Sequence, residues 1–191
     1  MSLDPLRRFG ADLTRLADRE GLAEAAVLPE ARQMLARLVA EDDWLPDTFA
    51  QADGRSYRQY LLYGDPLDRF SLVSFVWGPG QQTPVHDHLM WGLVGMLRGA
   101  ETATGYVRDA DGRLRAEGVE RLTPGMVGAV SPTIGDIHRV ANALSDRASI
   151  SIHLYGGNIG RVRRHAFDPE TGTEKEFVSG YSAAVVPNLW G

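Results

Sequence analysis

Residues 83–92 read TPVHDHLMWG, and its two histidines open the route to the fold. On a strand, residues two apart face the same way, so His86 and His88 project together and Asp87 points to the opposite face. Two imidazoles side by side are a ready pair of metal ligands. Taken alone, the pair fits two surface histidines better. A third histidine changes that weighing. It lies in SPTIGDIHRVAN (131–142), about fifty residues on and beyond two or three strands. Glycines and prolines frame both segments. The first reads Gly80, five residues, His86-Asp87-His88, three residues, Gly92, six residues, Gly99. The second reads Pro132, two residues, Gly135, two residues, His138, three residues, Asn142. Glycines at such places supply turns and close backbone approach.

Outward from these segments, the chain after Trp44 is rich in glycine and proline, with short apolar or alternating runs between them. FSLVSFVW (70–77) reads as a buried strand, and so do parts of LMWGLVGML (89–97), ETATGYV (101–107), LRAEGVERL (114–122) and MVGAV (126–130). ASISIHLY (148–155) and GRVRRHAF (160–167) continue the series. Turns fall at Gly78-Pro79-Gly80, Asp111-Gly112 and Pro124-Gly125. Many short strands with regular turns predict a sandwich or barrel. The first 45 residues read as helix. Leu6, Phe9, Leu13 and Leu16 recur at spacings of three and four, after an Asp4-Pro5 start. A second helix is expected from near Pro29, with an apolar stripe of Ala31, Met34, Leu35, Leu38 and Val39. Both helices are expected on the outside of the β structure.

Composition narrows the function classes. The 191 residues are enough for one domain with a real core, and 43% are hydrophobic, as in ordinary globular chains. There is no cysteine, which excludes disulfides, thiolate ligands and a cysteine nucleophile. A net charge of −5 offers no basic footprint for nucleic acid, and Arg161, Arg163 and Arg164 read as a solvated strand face. No apolar run approaches the roughly 18 residues that cross a bilayer. The N-terminal MSLDPLRRFGADL lacks the apolar core of a signal peptide, so a cytoplasmic protein is expected.

The two histidine segments resemble the paired signature motifs of the cupin superfamily. The resemblance implies an all-β fold, a double-stranded jelly-roll barrel with the two N-terminal helices packed on its outside. The expected organisation is a single cupin domain over 1–191, helical over 1–45, with the barrel core over about 56–181. It also implies that His86, His88 and His138 bind one metal. Many cupins carry a glutamate shortly after the paired histidines. Here the neighbourhood is Met90, Trp91, Gly92, Leu93 and Val94, which leaves three neutral imidazoles. A divalent ion held by them keeps its full charge and attracts anionic ligands such as a thiolate or carboxylate.

SISIHLY (149–155) then acquires a meaning. As a strand it sets Ile150, Ile152 and Leu154 on one face and Ser149, Ser151, His153 and Tyr155 on the other. Alternation alone reads the polar face as wet. Three-histidine cupins with a Ser-x-His-x-Tyr strand resemble the thiol dioxygenases, cysteine dioxygenase and its bacterial relatives. The likeness spans about Tyr57 to Tyr181 and includes FVWGPGQQTPVHDH, WGLVGMLRGAE and SIHLYGGNIG. It implies iron, Fe(II), a small thiol and O2 as partners, and a sulfinic acid as product. Carried over by motif, Tyr155 places its hydroxyl near the iron, His153 orients Tyr155, and Ser151 orients His153. Three imidazoles by themselves also suit zinc, nickel or copper. Iron comes from the resemblance.

Which thiol is bound turns on fewer residues. Family members with a cysteine–tyrosine crosslink have a cysteine where Gly92 falls, so that crosslink is excluded. Mammalian-type members grip the cysteine carboxylate with an arginine on an earlier strand. The matching stretch is SYRQYLLYGD (56–65), where either Arg58 or Gln59 faces the pocket. The YxQYLL context resembles the glutamine-type 3-mercaptopropionate dioxygenases, so Gln59 is expected inside and Arg58 outside. Arg164 in GGNIGRVRRHAF matches an active-site arginine of that subgroup, although a surface arginine fits the spacing equally. His165, Trp77 and Trp91 read as structural. Competing readings are cysteine dioxygenase proper, another metal-dependent cupin enzyme, and a non-enzymatic small-molecule sensor. Oligomeric state is not legible.

Overall fold

The computed structural model describes residues 2–20 and 23–190. Two helices, α1 (Asp4–Glu20) and α2 (Glu24–Leu38), precede eleven strands. The strands are β1 (Arg58–Gly64), β2 (Ser71–Trp77), β3 (Val85–His86), β4 (Gly92–Arg98), β5 (Glu101–Arg108) and β6 (Leu114–Leu122). They continue as β7 (Val127–Val130), β8 (His138–Asn142), β9 (Ser149–Tyr155), β10 (Arg164–Phe167) and β11 (Glu174–Phe177). Two antiparallel sheets face each other, in the orders β1-β2-β9-β4-β7 and β11-β10-β3-β8-β5-β6. This is the double-stranded jelly roll, closed by strands that alternate between the two sheets. Among the described residues, no helix is long and apolar enough to cross a membrane.

The helices cover the outer face of the first sheet. Leu6, Leu13 and Leu16 of α1 and Val27, Leu35 and Leu38 of α2 share one core with Leu72, Val76, Leu93, Ile150, Ile152 and Leu154. Each such side chain contributes about 1.5–3 kcal/mol on burial. The contact is tight at Gly95, where a Cβ would stand 2.9 Å from Val39 Cγ1 and 3.0 Å from Leu35 Cγ. Strand β9 is consequently buried on both faces along its whole length, with its aliphatic side under the helices and its polar side inside the barrel.

Two features differ from the sequence expectation. Helix α2 begins at Glu24, so Pro29 lies inside it, in the second turn. There proline forfeits one intrahelical bond, a loss near the helix start that the apolar face of α2 outweighs. Strand β11, EKEF, has no apolar alternation because it is an edge strand with Glu174, Lys175 and Glu176 in solvent.

Candidate metal centre

The three motif histidines meet inside the barrel. His86 and His138 are register partners on β3 and β8, and His88 follows β3 by two residues. All three are buried, and one ring nitrogen of each lies within 4.8 Å of the others. Burial holds His86 and His138 well below the ordinary histidine range. Neutral imidazoles are what a metal needs as ligands.

Neighbouring acceptors fix which nitrogen is free. His86 Nδ1 lies 3.1 Å from the Pro84 carbonyl, which can only accept, so Nδ1 carries the hydrogen and Nε2 keeps the lone pair. His88 Nδ1 donates to Asp136 Oδ1 at 3.0 Å with the same result. Asp136 also accepts the backbone N–H groups of His88 (3.0 Å) and Leu89 (2.9 Å). Burial alone would raise the Asp136 carboxyl, but these bonds outweigh it and hold the group below its usual range. Leu89 adopts φ 60°, a left-handed conformation that costs a side-chain-bearing residue about 1–3 kcal/mol. The Asp136 bonds to the Leu89 N–H and to the N–H of the residue before it offset that strain.

The donor set fits a divalent transition metal. The cluster is three imidazoles, and among the described residues no carboxylate joins it. Gly92, in the neighbourhood where the cupin resemblance would look for a glutamate, is the register partner of Tyr155. A Cβ there would stand 2.9 Å from Tyr155 Cδ1 and 3.1 Å from Val130 Cγ2, so the ring of Tyr155 fills the space of a fourth ligand's stem.

Ser151, His153 and Tyr155 form a continuous hydrogen-bonded row on the inner face of β9. Ser151 Oγ is 2.8 Å from His153 Nε2, and His153 Nδ1 is 2.8 Å from the Tyr155 hydroxyl. Burial keeps His153 well below the ordinary histidine range, hence neutral, and pushes the Tyr155 phenol up, hence protonated. The Tyr155 ring stacks on His88 with centroids 5.6 Å apart, so the row ends against the metal cluster.

Arg164 on β10 closes the other side of the cavity. It is 4% exposed, its guanidinium lies over Phe177 at 4.5 Å, and Nη2 donates to Ser179 Oγ at 2.9 Å. Its Nε is buried with no partner, so this cation carries an unused buried donor. Burial lowers its pKa from the ordinary arginine value. The neighbouring Arg161 and Arg163 are in solvent. Gln59 is buried and shares the inward face of β1 with its partner Phe75, while Arg58 faces outward and pairs with Asp53. The Gln59 amide donates to the Gly180 carbonyl and is not among the side chains that line the cavity. His165 turns away and bonds Asp87 at 2.8 Å.

Several cavity residues carry no motif signal. Trp77 reads as packing in the sequence and does stack on Phe75, yet its Nε1–H also donates to Ser151 Oγ at 3.1 Å. Phe177 was not legible because β11 was not. Tyr57, which packs against both Phe75 and Trp77, gives no sequence sign of its position. Trp91 belongs to the outer core under the helices.

A family model described as cysteine dioxygenase type I matches residues 23–168. The chain is 26% identical over 172 residues to cysteine dioxygenase type 1 of Bos taurus, covering 88% of this chain and 83% of the bovine protein. It is 27% identical over 136 residues to the protein of the same name in Danio rerio, covering 68% of this chain and 64% of that one. Among solved structures, an uncharacterized conserved protein with a double-stranded beta-helix domain from Klebsiella pneumoniae aligns with TM-score 0.48 and 13% identity, over 71% of this chain and 97% of that one.

Proposed function

The chain belongs to the cysteine dioxygenase type I family, and from that premise we propose that it is an Fe(II)-dependent thiol dioxygenase acting on 3-mercaptopropionate. The thiol R–SH and O2 combine to R–SO2H, with both oxygen atoms ending on sulfur. The observation that carries the substrate reading is the charge of the cavity. Arg164 supplies a buried cation with an unpartnered Nε, and no carboxylate lines the cavity among the described residues. A substrate with a thiolate at one end and a carboxylate at the other complements the metal and Arg164 together. Cysteine would add an ammonium to a site with no anion to receive it.

His86, His88 and His138 would hold the iron, which supplies redox chemistry between O2 and the thiol sulfur. Everything else falls to the chain. Pro84 and Asp136 keep two imidazoles turned with Nε2 inward. Arg164 binds the carboxylate and is itself aimed by Phe177 and Ser179. Tyr155 holds a proton at the cavity wall, and His153 and Ser151 orient its hydroxyl. Phe75 and Trp77 exclude water from the buried side. Gln59 backs this wall through the Gly180 carbonyl and so fixes the loop that follows β11.

The test is oxygen uptake by the Fe(II)-loaded protein with 3-mercaptopropionate and, separately, with cysteine. Faster uptake with 3-mercaptopropionate and recovery of its sulfinate are expected. A preference for cysteine would reject the charge argument and leave a cysteine dioxygenase. No uptake with either thiol would reject the activity.

A further inference from the structure

Glu101, the first residue of β5, is a carboxyl sealed inside the barrel. It is 1% exposed, and its Oε2 is buried without a hydrogen-bond partner. Its side-chain partner is the Ser151 hydroxyl, at the far end of the Ser-His-Tyr row. The family motif does not include this residue, and the mechanism above does not use it.

We propose that Glu101 is a positioning residue whose protonation sets the direction of the whole row and so decides where the Tyr155 hydroxyl points. The argument is a count of donors and acceptors at Ser151. A hydroxyl gives one hydrogen and accepts two. One acceptor place is permanently taken, because Trp77 Nε1–H can only donate. Ser151 therefore has one place to accept and one hydrogen to give, divided between Glu101 and His153.

An ionised Glu101 can only accept. Ser151 then donates to it and accepts Nε2–H of His153. His153 Nδ1 is left as an acceptor and takes the Tyr155 O–H. A protonated Glu101 donates to Ser151. Ser151 then donates to His153 Nε2, His153 Nδ1–H donates to the Tyr155 oxygen, and the Tyr155 hydrogen is free to point into the cavity. No net charge crosses the row in either case. One proton on Glu101 exchanges the two tautomers of a neutral His153.

The environment puts this switch in reach of ordinary pH. Burial raises the Glu101 carboxyl to about 7, with the Ser151 bond opposing and the charge of Glu120 adding to the rise. The titratable and charged groups turned into the same barrel are Tyr57, His86, His88, His138 of β8, His153 and Tyr155 of β9, and Arg164 of β10, while Glu120 of β6 acts on Glu101 from an exposed position. Strands β2 and β4 present no titratable group there: Ser71, Val73, Phe75 and Trp77 come from β2, and Gly92, Val94 and Met96 from β4.

The consequence for catalysis rests on the thiol dioxygenase reading, but the switch does not, and the test separates them. The full-length chain is loaded with zinc, a closed-shell ion that leaves sharp resonances, and the 15N signals of His153 are followed from pH 5 to 9. They are assigned through His153→Gln. The expected result is conversion from the Nδ1–H tautomer to the Nε2–H tautomer with a midpoint near 7, abolished in Glu101→Gln. Ser151→Ala, which cuts the link while leaving the carboxyl, should also uncouple the tautomer from pH. A single tautomer throughout, or a conversion that persists in both variants, would overturn the proposal. In the Fe(II) enzyme, kcat for thiol oxidation should fall above the same midpoint, and Glu101→Gln should lose that limb. Tautomer conversion without thiol oxidation would reject the activity and leave the switch standing. Oxidation with a fixed tautomer would do the reverse.

Discussion

Arg164 shows how one residue can be ready for a ligand. Phe177 and Ser179 hold the guanidinium, but neither neutralises it, and its Nε has no partner. Replacement by Gln removes the charge and keeps part of the hydrogen bonding. A bond to a charged group contributes about 1.5–3 kcal/mol, so KM for 3-mercaptopropionate should rise about 10- to 100-fold, with a smaller change in kcat. Steady-state oxygen uptake measures both, and an unchanged KM would remove Arg164 from the binding site. Glu101 makes a second prediction at this scale. Its carboxyl is raised from 4.5 to about 7, so between those values the folded state binds more protons than the unfolded chain. Stability must then fall as pH rises through that window, by about 3 kcal/mol for this group. Glu101→Gln removes that dependence. Its Tm relative to the parent should therefore climb by about 5–10 °C between pH 5 and pH 8. A difference in Tm that does not change with pH would mean that Glu101 keeps one protonation state in the fold.

At the scale of the element, β9 explains what the sequence could and could not reveal. Its alternation predicts two faces, and both faces exist. The pattern is silent on the fact that both are buried, because helices thirty or more residues long in total, far upstream in the chain, cover one side. A polar face on a central strand looks the same in sequence as a polar face in water. The spacing of the two histidine segments, by contrast, encodes the site directly, since His86 and His138 are register partners. Glu101 and Trp77 stayed invisible as members of the row because their role comes from contact across strands, not from spacing within one. Strand β11 leaves no trace in the sequence because edge strands need no apolar period, and Pro29 imitates a first turn although α2 starts at Glu24. The pairing of β4 with β9 supports a prediction at Gly92. Alanine there would press on Tyr155 from one side and Val130 from the other. Overpacking of this kind costs about 1–3 kcal/mol. Because the displaced group is the Tyr155 ring, kcat should fall much further than that stability loss implies. Thermal melting and thiol oxidation on Gly92→Ala test this, and unchanged turnover in a destabilised protein would take Tyr155 out of the reaction.

The whole molecule divides its labour between the two sheets. The large aliphatic core lies between the helices and the outer face of the first sheet, where none of the three metal-site histidines reaches. Those histidines come from β3, the loop after it and β8, all on the second sheet's side of the barrel. The fold should therefore survive removal of the metal, unlike a small zinc domain that exists only with its ion. Metal binding should still raise stability, because the folded state alone presents three converged imidazoles. At a free metal concentration 100 times Kd the gain is about 2.7 kcal/mol. For a chain of this size that corresponds to a rise in Tm of about 5–10 °C. Chelator-treated and Fe(II)-loaded protein, melted anaerobically, should differ by that amount while keeping the same far-ultraviolet circular dichroism at low temperature. His138→Gln should melt near the chelated parent and show no gain with iron. If the chelated protein lost its β signal instead, the helix-side core would not be sufficient to hold the barrel. If His138→Gln still gained stability from iron, the ion would be bound somewhere other than at the three converging histidines.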